Sequence, residues 1–367
     1  MRSVRYAVLS LAALVVLSLG FALVPAEKPA PAQPPFSEQA RAAALNDAMH
    51  LRAAGMELAA TDPAAAASVD PVVTLLTIQA RALLAPGGEG SAGPSTAGPS
   101  STGPSSTGPS TTGPSSAAPG TPAGPSGSAP AAGTGLAGLA AALTASGIQR
   151  IQDAQEADGG MARLLAGAGT AQLLAGQRLG APAAQPAAAG PAGEVPAAAE
   201  TAPSCPAVPA AEGVGPGAAM AAAAAAEQQA VYGYQAALPR LAPAEAGTAQ
   251  AYLGQHKDLA KEANARLRLL CATAEPQQPG YVVDARFLAA PAPGLGRLET
   301  ATLASYGTLV SLSGGPVRAW ALVALQSAAK RAAQWGADPG PVPGVALDVD
   351  RLPGLPAGVQ APTPSAS

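Results

Sequence analysis

The chain has 367 residues, a formal net charge of −3 and only 12% charged residues, and it carries 42 Gly and 39 Pro. That length allows two or three domains, but so much Gly and Pro reduces the share of chain that can build packed cores. The charge balance excludes a general attraction to nucleic acid, and no basic run stands out.

The N-terminus reads as an export signal. Arg2 and Arg5 precede an uncharged apolar stretch from Tyr6 to Val24, and Val24-Pro25-Ala26 offers small residues for cleavage. The stretch is slightly long for a signal peptide and near the lower limit for a membrane span. Residues 1–29 are therefore a signal peptide or a membrane anchor, and both alternatives stay open. In either case the rest of the chain is expected outside the cytoplasm, because the positive end stays inside. If the segment is uncleaved, the membrane itself is a partner.

A helical hairpin is expected over 36–85. Leu45, Met49 and Met56 share one side of its first helix. In the second, Asp70-Pro71 reads as an N-cap followed by proline at the first helical position, with Val72, Leu75, Leu76 and Leu83 as the stripe. Residues 86–133 hold near-repeats such as Gly103-Pro104-Ser105-Ser106-Thr107. This composition cannot bury enough apolar surface to offset ordering, so it predicts a disordered linker, with a glycosylated stalk as its compositional use.

A second hairpin is expected over 134–180, with Leu139, Leu143, Gly147 and Ile151, then Leu165, Ala168 and Gln172, at helical spacing. Residues 181–216 form an Ala/Pro-rich spacer. His50 stands alone and is an ordinary helix residue, since a metal site needs several ligands.

Eight of the nine aromatic residues beyond the N-terminal segment lie between Tyr232 and Trp335. Aromatic side chains bury the most area per residue, which puts the best-packed domain at 217–340. Four helices fit there. Short connections join the first to the second and the third to the fourth, so each pair is antiparallel. About 20 residues, Thr273 to Pro293, separate the pairs, which predicts a bundle with one long crossover. Residues 341–367 read as a disordered tail.

Polar residues interrupt the apolar stripes of this bundle. Glu227 shares a face with Met220, Ala223, Val231 and Tyr234. His256 lines up with Leu253, Ala263 and Leu267, and Glu299 with Leu295, Thr302 and Tyr306. A buried carboxylate or imidazole needs a partner, so these three are expected to meet.

The run Glu227-Gln228-Gln229-Ala230-Val231-Tyr232-Gly233-Tyr234, then His256, Leu298-Glu299, and Arg318 through Trp335, resembles the ferritin-like family called domain of unknown function 4439. The resemblance covers about a third of the chain. It implies an all-α fold with a C-terminal ferritin-like four-helix bundle, preceded here by helical hairpins and disordered linkers, and it implies no activity.

The di-iron branch of that superfamily draws a Glu from each of two helices and a Glu-x-x-His motif from each of the other two. Glu227, His256 and Glu299 match half of that set. Leu253 stands where one motif needs Glu, and the fourth helix has no acid or His. Two carboxylates and one imidazole suit at most one divalent metal; otherwise they form a structural network satisfied by tyrosine hydroxyls.

Cys205 precedes the first bundle helix and Cys271 ends the second. Antiparallel packing brings both to the same end, so a disulfide between them is expected in an oxidising compartment. With two His, a Ser-His-Asp triad has almost no raw material, and Gly213 to Gly217 follows no strand, so it is not a nucleotide loop. Lys257, Lys261, Arg266 and Arg268 read as a solvated face. The sequence points to a non-enzymatic, exported envelope protein with a binding or scaffolding role toward an envelope protein or cell-wall component. The alternative is a metal-binding or redox protein using Glu227, His256 and Glu299. No organic cofactor is implied.

Overall fold

The computed structural model describes residues 33–84, 135–181 and 214–356. The N-terminal export segment, the linker over 86–133, and Cys205 with almost all of its spacer lie outside the described residues. Those described are all-α, with no strand among them. In chain order the helices are α1 (Phe36–Thr61), α2 (Pro63–Leu84), α3 (Leu136–Glu156), α4 (Gly159–Arg178), α5 (Pro216–Ala237), α6 (Pro243–Leu269), α7 (Ala285–Ala289), α8 (Pro291–Leu312) and α9 (Gly315–Gln334).

Local chemistry sets most of these ends. Pro216, Pro243, Pro291 and Pro316 stand in the first turns of α5, α6, α8 and α9, where a missing N–H costs nothing. Asp158 caps α4 by accepting from Met161 N at 3.2 Å. Gly336, at φ +74, closes α9, and Ala337 N donates back to Ala332 O at 2.9 Å.

One expected start is corrected. Helix α2 begins at Pro63, and Asp70-Pro71 lies inside it. Asp62 is the cap, accepting from Ala64 N at 3.0 Å. Helices of 26 and 22 residues are thus separated by Asp62 alone. In α1 the buried face is Ala40, Ala44, Ala48, Leu51 and Gly55, whereas Met56 is exposed. The small side chains were overlooked as a packing face. By length and composition alone α2 could cross a membrane, yet its Val69, Leu76 and Leu83 are buried in protein.

Helices α1 and α2 pair, as do α3 and α4, α5 and α6, and α8 and α9; α5 also packs along α8, and α4 along α8. Close approach is what Gly and Ala allow. A Cβ on Gly147 would stand 2.9 Å from Gly169 O, and one on Gly169 2.7 Å from Gly147 O, so α3 and α4 cross nearly backbone to backbone.

One apolar core draws Leu83, Ile151 and Leu165 together with Met220, Leu267, Leu309 and Leu325, and two smaller clusters flank it. Polar clamps reinforce it. Arg318 Nη1 donates to Ala157 O at 2.7 Å and Gln155 O at 3.0 Å, at the C-terminal end of α3. Gln79 Nε2 reaches Pro341 O at 2.9 Å, and Arg163 Nε reaches Gly344 O at 2.7 Å.

The first part of the expected tail is thus built into the fold. Val342 is buried, and Arg81 Nη2 donates to Leu352 O at 2.6 Å and Val349 O at 3.0 Å. These backbone carbonyls satisfy Arg81 of the first hairpin, which a stripe-by-stripe reading could not reveal. The crossover from Cys271 to Asp284 also follows the bundle: Gln228 Nε2 donates to Glu275 O at 3.2 Å, and Tyr281 OH donates to Gln228 Oε1 at 3.2 Å.

Candidate functional site: a buried ion network

The three interrupting residues meet. Glu227 on α5, His256 on α6 and Glu299 on α8 are each fully buried. The imidazole lies between the acids, with Nδ1 2.6 Å from Glu227 Oε2 and Nε2 2.8 Å from Glu299 Oε1. The remaining helix, α9, contributes Arg331, whose Nε donates to Glu299 Oε2 at 2.9 Å. Tyr234 OH donates to Glu299 Oε1 at 2.6 Å and accepts from Trp335 Nε1 at 2.7 Å. Tyr306 OH donates to Glu227 Oε1.

This geometry sets the protonation. Where both acids are ionised they only accept, both ring nitrogens of His256 then donate, and the ring is an imidazolium. Burial pushes the His256 pKa down, but the bonds to Glu227 and Glu299 and their charges outweigh burial and raise it. Burial likewise pushes Glu299 up, and His256, Arg331 and Tyr234 together bring it below its ordinary value. Burial and the Glu227 charge push the Tyr306 phenol far up, so it stays a donor. Two negative charges face two positive ones, and every carboxylate oxygen has a donor.

As arranged, these residues do not fit a metal ion. A ligating imidazole nitrogen needs its lone pair, and both nitrogens of His256 are already taken up by acids at hydrogen-bond distance. The guanidinium supplies positive charge where a cation would have to sit. Among the described residues no group of three or more acidic, His or Cys side chains is arranged to hold a metal.

Arg331 is the functional residue that sequence reasoning missed. It lies three positions after Ala328, seven after Ala324 and four before Trp335, on the face α9 buries, so helical spacing alone could have found it. A search for acids and imidazoles passed over a cation. Arg266, expected on a solvated face, is also buried; its guanidinium stacks 4.9 Å from the Trp320 ring centroid. Indole stacking pulls it out of solvent. Cys271 is not a free thiol, while its expected partner Cys205 lies outside the described residues. His50 belongs to no group of three or more metal-type ligands among the described residues.

A cleft of about 190 Å³ opens on the outer side of the network helices. Tyr232, Tyr281, Phe287 and Leu298 form its apolar walls, with Gln229 and Arg297 at its edge. Tyr232, Val282 and Leu288 leave apolar surface exposed around it.

Every residue of the network falls within one recognisable segment. Residues 219–347 match the family described as Domain of unknown function (DUF4439). The DUF4439 region spans α5 to α9 and ends in the segment that Arg163 and Gln79 hold. It leaves α1 to α4 outside the match. No curated protein and no solved structure matches the chain.

Proposed function

We propose that the chain is an exported cell-envelope protein whose C-terminal helices form a degenerate, ferritin-like four-helix bundle serving as a binding or scaffolding module. The observation that carries this reading is the neutral, closed ion network. Its four carboxylate oxygens all accept hydrogen bonds, from His256, Arg331, Tyr234 and Tyr306, so the core is equipped for structure and not for turnover. The aromatic cleft beside it supports a binding role, since concave apolar surface with a few polar groups is where ligands settle. The apolar N-terminal segment after Arg2 and Arg5 supports export, either as a cleaved signal or as an anchor.

The test combines location with composition. The tagged full chain is expected in the membrane or extracytoplasmic fraction, with less than about a tenth of an equivalent of metal after purification under the stoichiometry a structural site demands. Residence in the cytosol alone refutes the export reading. One equivalent of metal, lost in a Glu227→Ala, His256→Ala double variant, would replace the scaffold reading with the metal-binding or redox one.

A further inference from the structure

The cleft beside the network holds groups that its own walls leave unused. Arg297 at its edge is exposed and has no hydrogen bond or ion pair with another described residue. The other charge there, Asp284, is committed, since its Oδ1 accepts from Phe287 N at 2.6 Å. From Pro276 to Val283 the main chain lies outside any helix and forms no hydrogen bond among the described residues, and Val282 is 94% exposed. An open run of N–H and C=O groups of this kind pairs readily with a second extended segment. Tyr232 and Tyr281, with ring centroids 5.8 Å apart, form an aromatic wall beside it. At about 190 Å³ the cleft is smaller than a small-molecule pocket, which takes roughly 300–1,000 Å³. It suits one or two small side chains of a peptide.

We propose that the occupant is a segment of this chain, Glu194-Val195-Pro196 of the spacer between α4 and α5, with Val195 and Pro196 against the aromatic wall and Glu194 paired with Arg297. Charge complementarity favours it. Residues 182–213 contain Glu194, Glu200 and Glu212 and no Lys or Arg. Their branched aliphatic side chains are Val195 and Val208 alone, and Val195 is the one with an acid directly before it. Length favours it too. The described chain resumes at Val214, just before α5, and Tyr232 lies about 24 Å along that helix. The stretch from Val195 to Val214 can span about 60 Å. The expected bond to Cys271 keeps this reach. Ala272 stands 3.3 Å from the Cβ position of Gly217, so the bond would hold Cys205 near the start of α5. From there to Val195 an extended chain covers about 31 Å, whereas Val208 stays within about 9 Å. Tethering also raises the local concentration of the segment to the order of mM. The inference rests on reading the cleft as the binding surface of the module, and it adds that an outside ligand must first displace the spacer.

Hydrogen exchange of the full chain, read on peptides that cover Gly280 to Val283, is the test. Val195→Asp alters the spacer and touches no described helix. Exchange at Tyr281 to Val283 is expected to be at least about tenfold faster in that variant than in the native chain. Equal exchange overturns the proposal. Protection that persists in the variant but falls on dilution assigns the cleft to a second copy, and overturns it as well.

A charge swap tests the pairing separately. Glu194→Lys and Arg297→Glu should each speed exchange by about two- to fivefold, the range of an exposed ion pair, and the two together should restore the native rate. No restoration overturns the assignment. A labelled peptide of residues 190–200 should bind Val195→Asp at least about tenfold more tightly than the native chain, whose own spacer competes; equal binding overturns the proposal. The two readings fail apart. Cytosolic residence or one equivalent of bound metal sinks the module reading and leaves the exchange result standing, whereas unchanged exchange sinks only the place given to the spacer.

Discussion

The Nε of Arg331 on α9 donates to Oε2 of Glu299 on α8 at 2.9 Å, with both side chains withdrawn from solvent. Each is the counter-charge that makes the other tolerable there. Removing one partner of a buried pair leaves an uncompensated charge, so Glu299→Gln is expected to lower stability by about 3–5 kcal/mol. Tyr306→Phe removes a single donor to Glu227 and should lose only about 1–3 kcal/mol. Urea unfolding of the two variants beside the native chain measures both. Equal, small losses would mean that the network contributes little.

The pH dependence follows from the directions of the shifts. Folding raises His256 above its ordinary 6.5, so its contribution is complete below about that pH and is lost as pH rises through the folded value. Folding lowers Glu299 below its ordinary 4.5; its contribution is complete above that pH and is lost as pH falls through the folded value. Unfolding midpoints should therefore form a plateau between about 4.5 and 6.5 and decline on both sides. In Glu227→Gln the alkaline decline should flatten, because one of the two acids that raise His256 is gone. A native curve that keeps rising above pH 7 contradicts the imidazolium assignment.

Docking of α4 on α8 depends on an absent side chain. A Cβ on Gly159 would run into the carbonyl of Ser311, which is backbone and has little room to yield. Gly159→Ala is expected to lose about 1–3 kcal/mol through overpacking. Faster amide hydrogen exchange should appear in both α4 and the end of α8. Unchanged exchange in α8 would argue against the close contact.

Cys205 and Cys271 are expected to be joined when the chain is purified from an oxidising compartment. Intact mass before and after reduction should differ by two hydrogens, and alkylation without reductant should label neither thiol. Closing so long a loop would add about 2–4 kcal/mol, read as a lower unfolding midpoint in reductant. Two alkylated thiols in unreduced protein end the expectation.

The faces of α5, α6 and α8 were legible as stripes. Glu227, His256 and Glu299 interrupt apolar positions at helical spacing, and an acid or imidazole in such a row has to be buried with company. Proline in the first turns of α5, α6 and α9 and Gly336 after α9 set their ends, because those residues act on their own backbone. Asp70-Pro71 misled for the same reason. The pair suits a helix start locally, but Asp62 and the packed face of α2 decide where that helix begins.

The amino-acid order alone determined the helices, their antiparallel pairing and the inward direction of two acids and one imidazole, since spacing and turn chemistry are local properties. Tertiary structure alone decided that Arg331 neutralises those acids, that Arg266 stacks on Trp320, and that backbone carbonyls beyond α9 satisfy Gln79, Arg81 and Arg163. Those outcomes depend on which charges and carbonyls come within about 3 Å across distant parts of the chain, and periodicity along one helix carries no information about the element that packs against it.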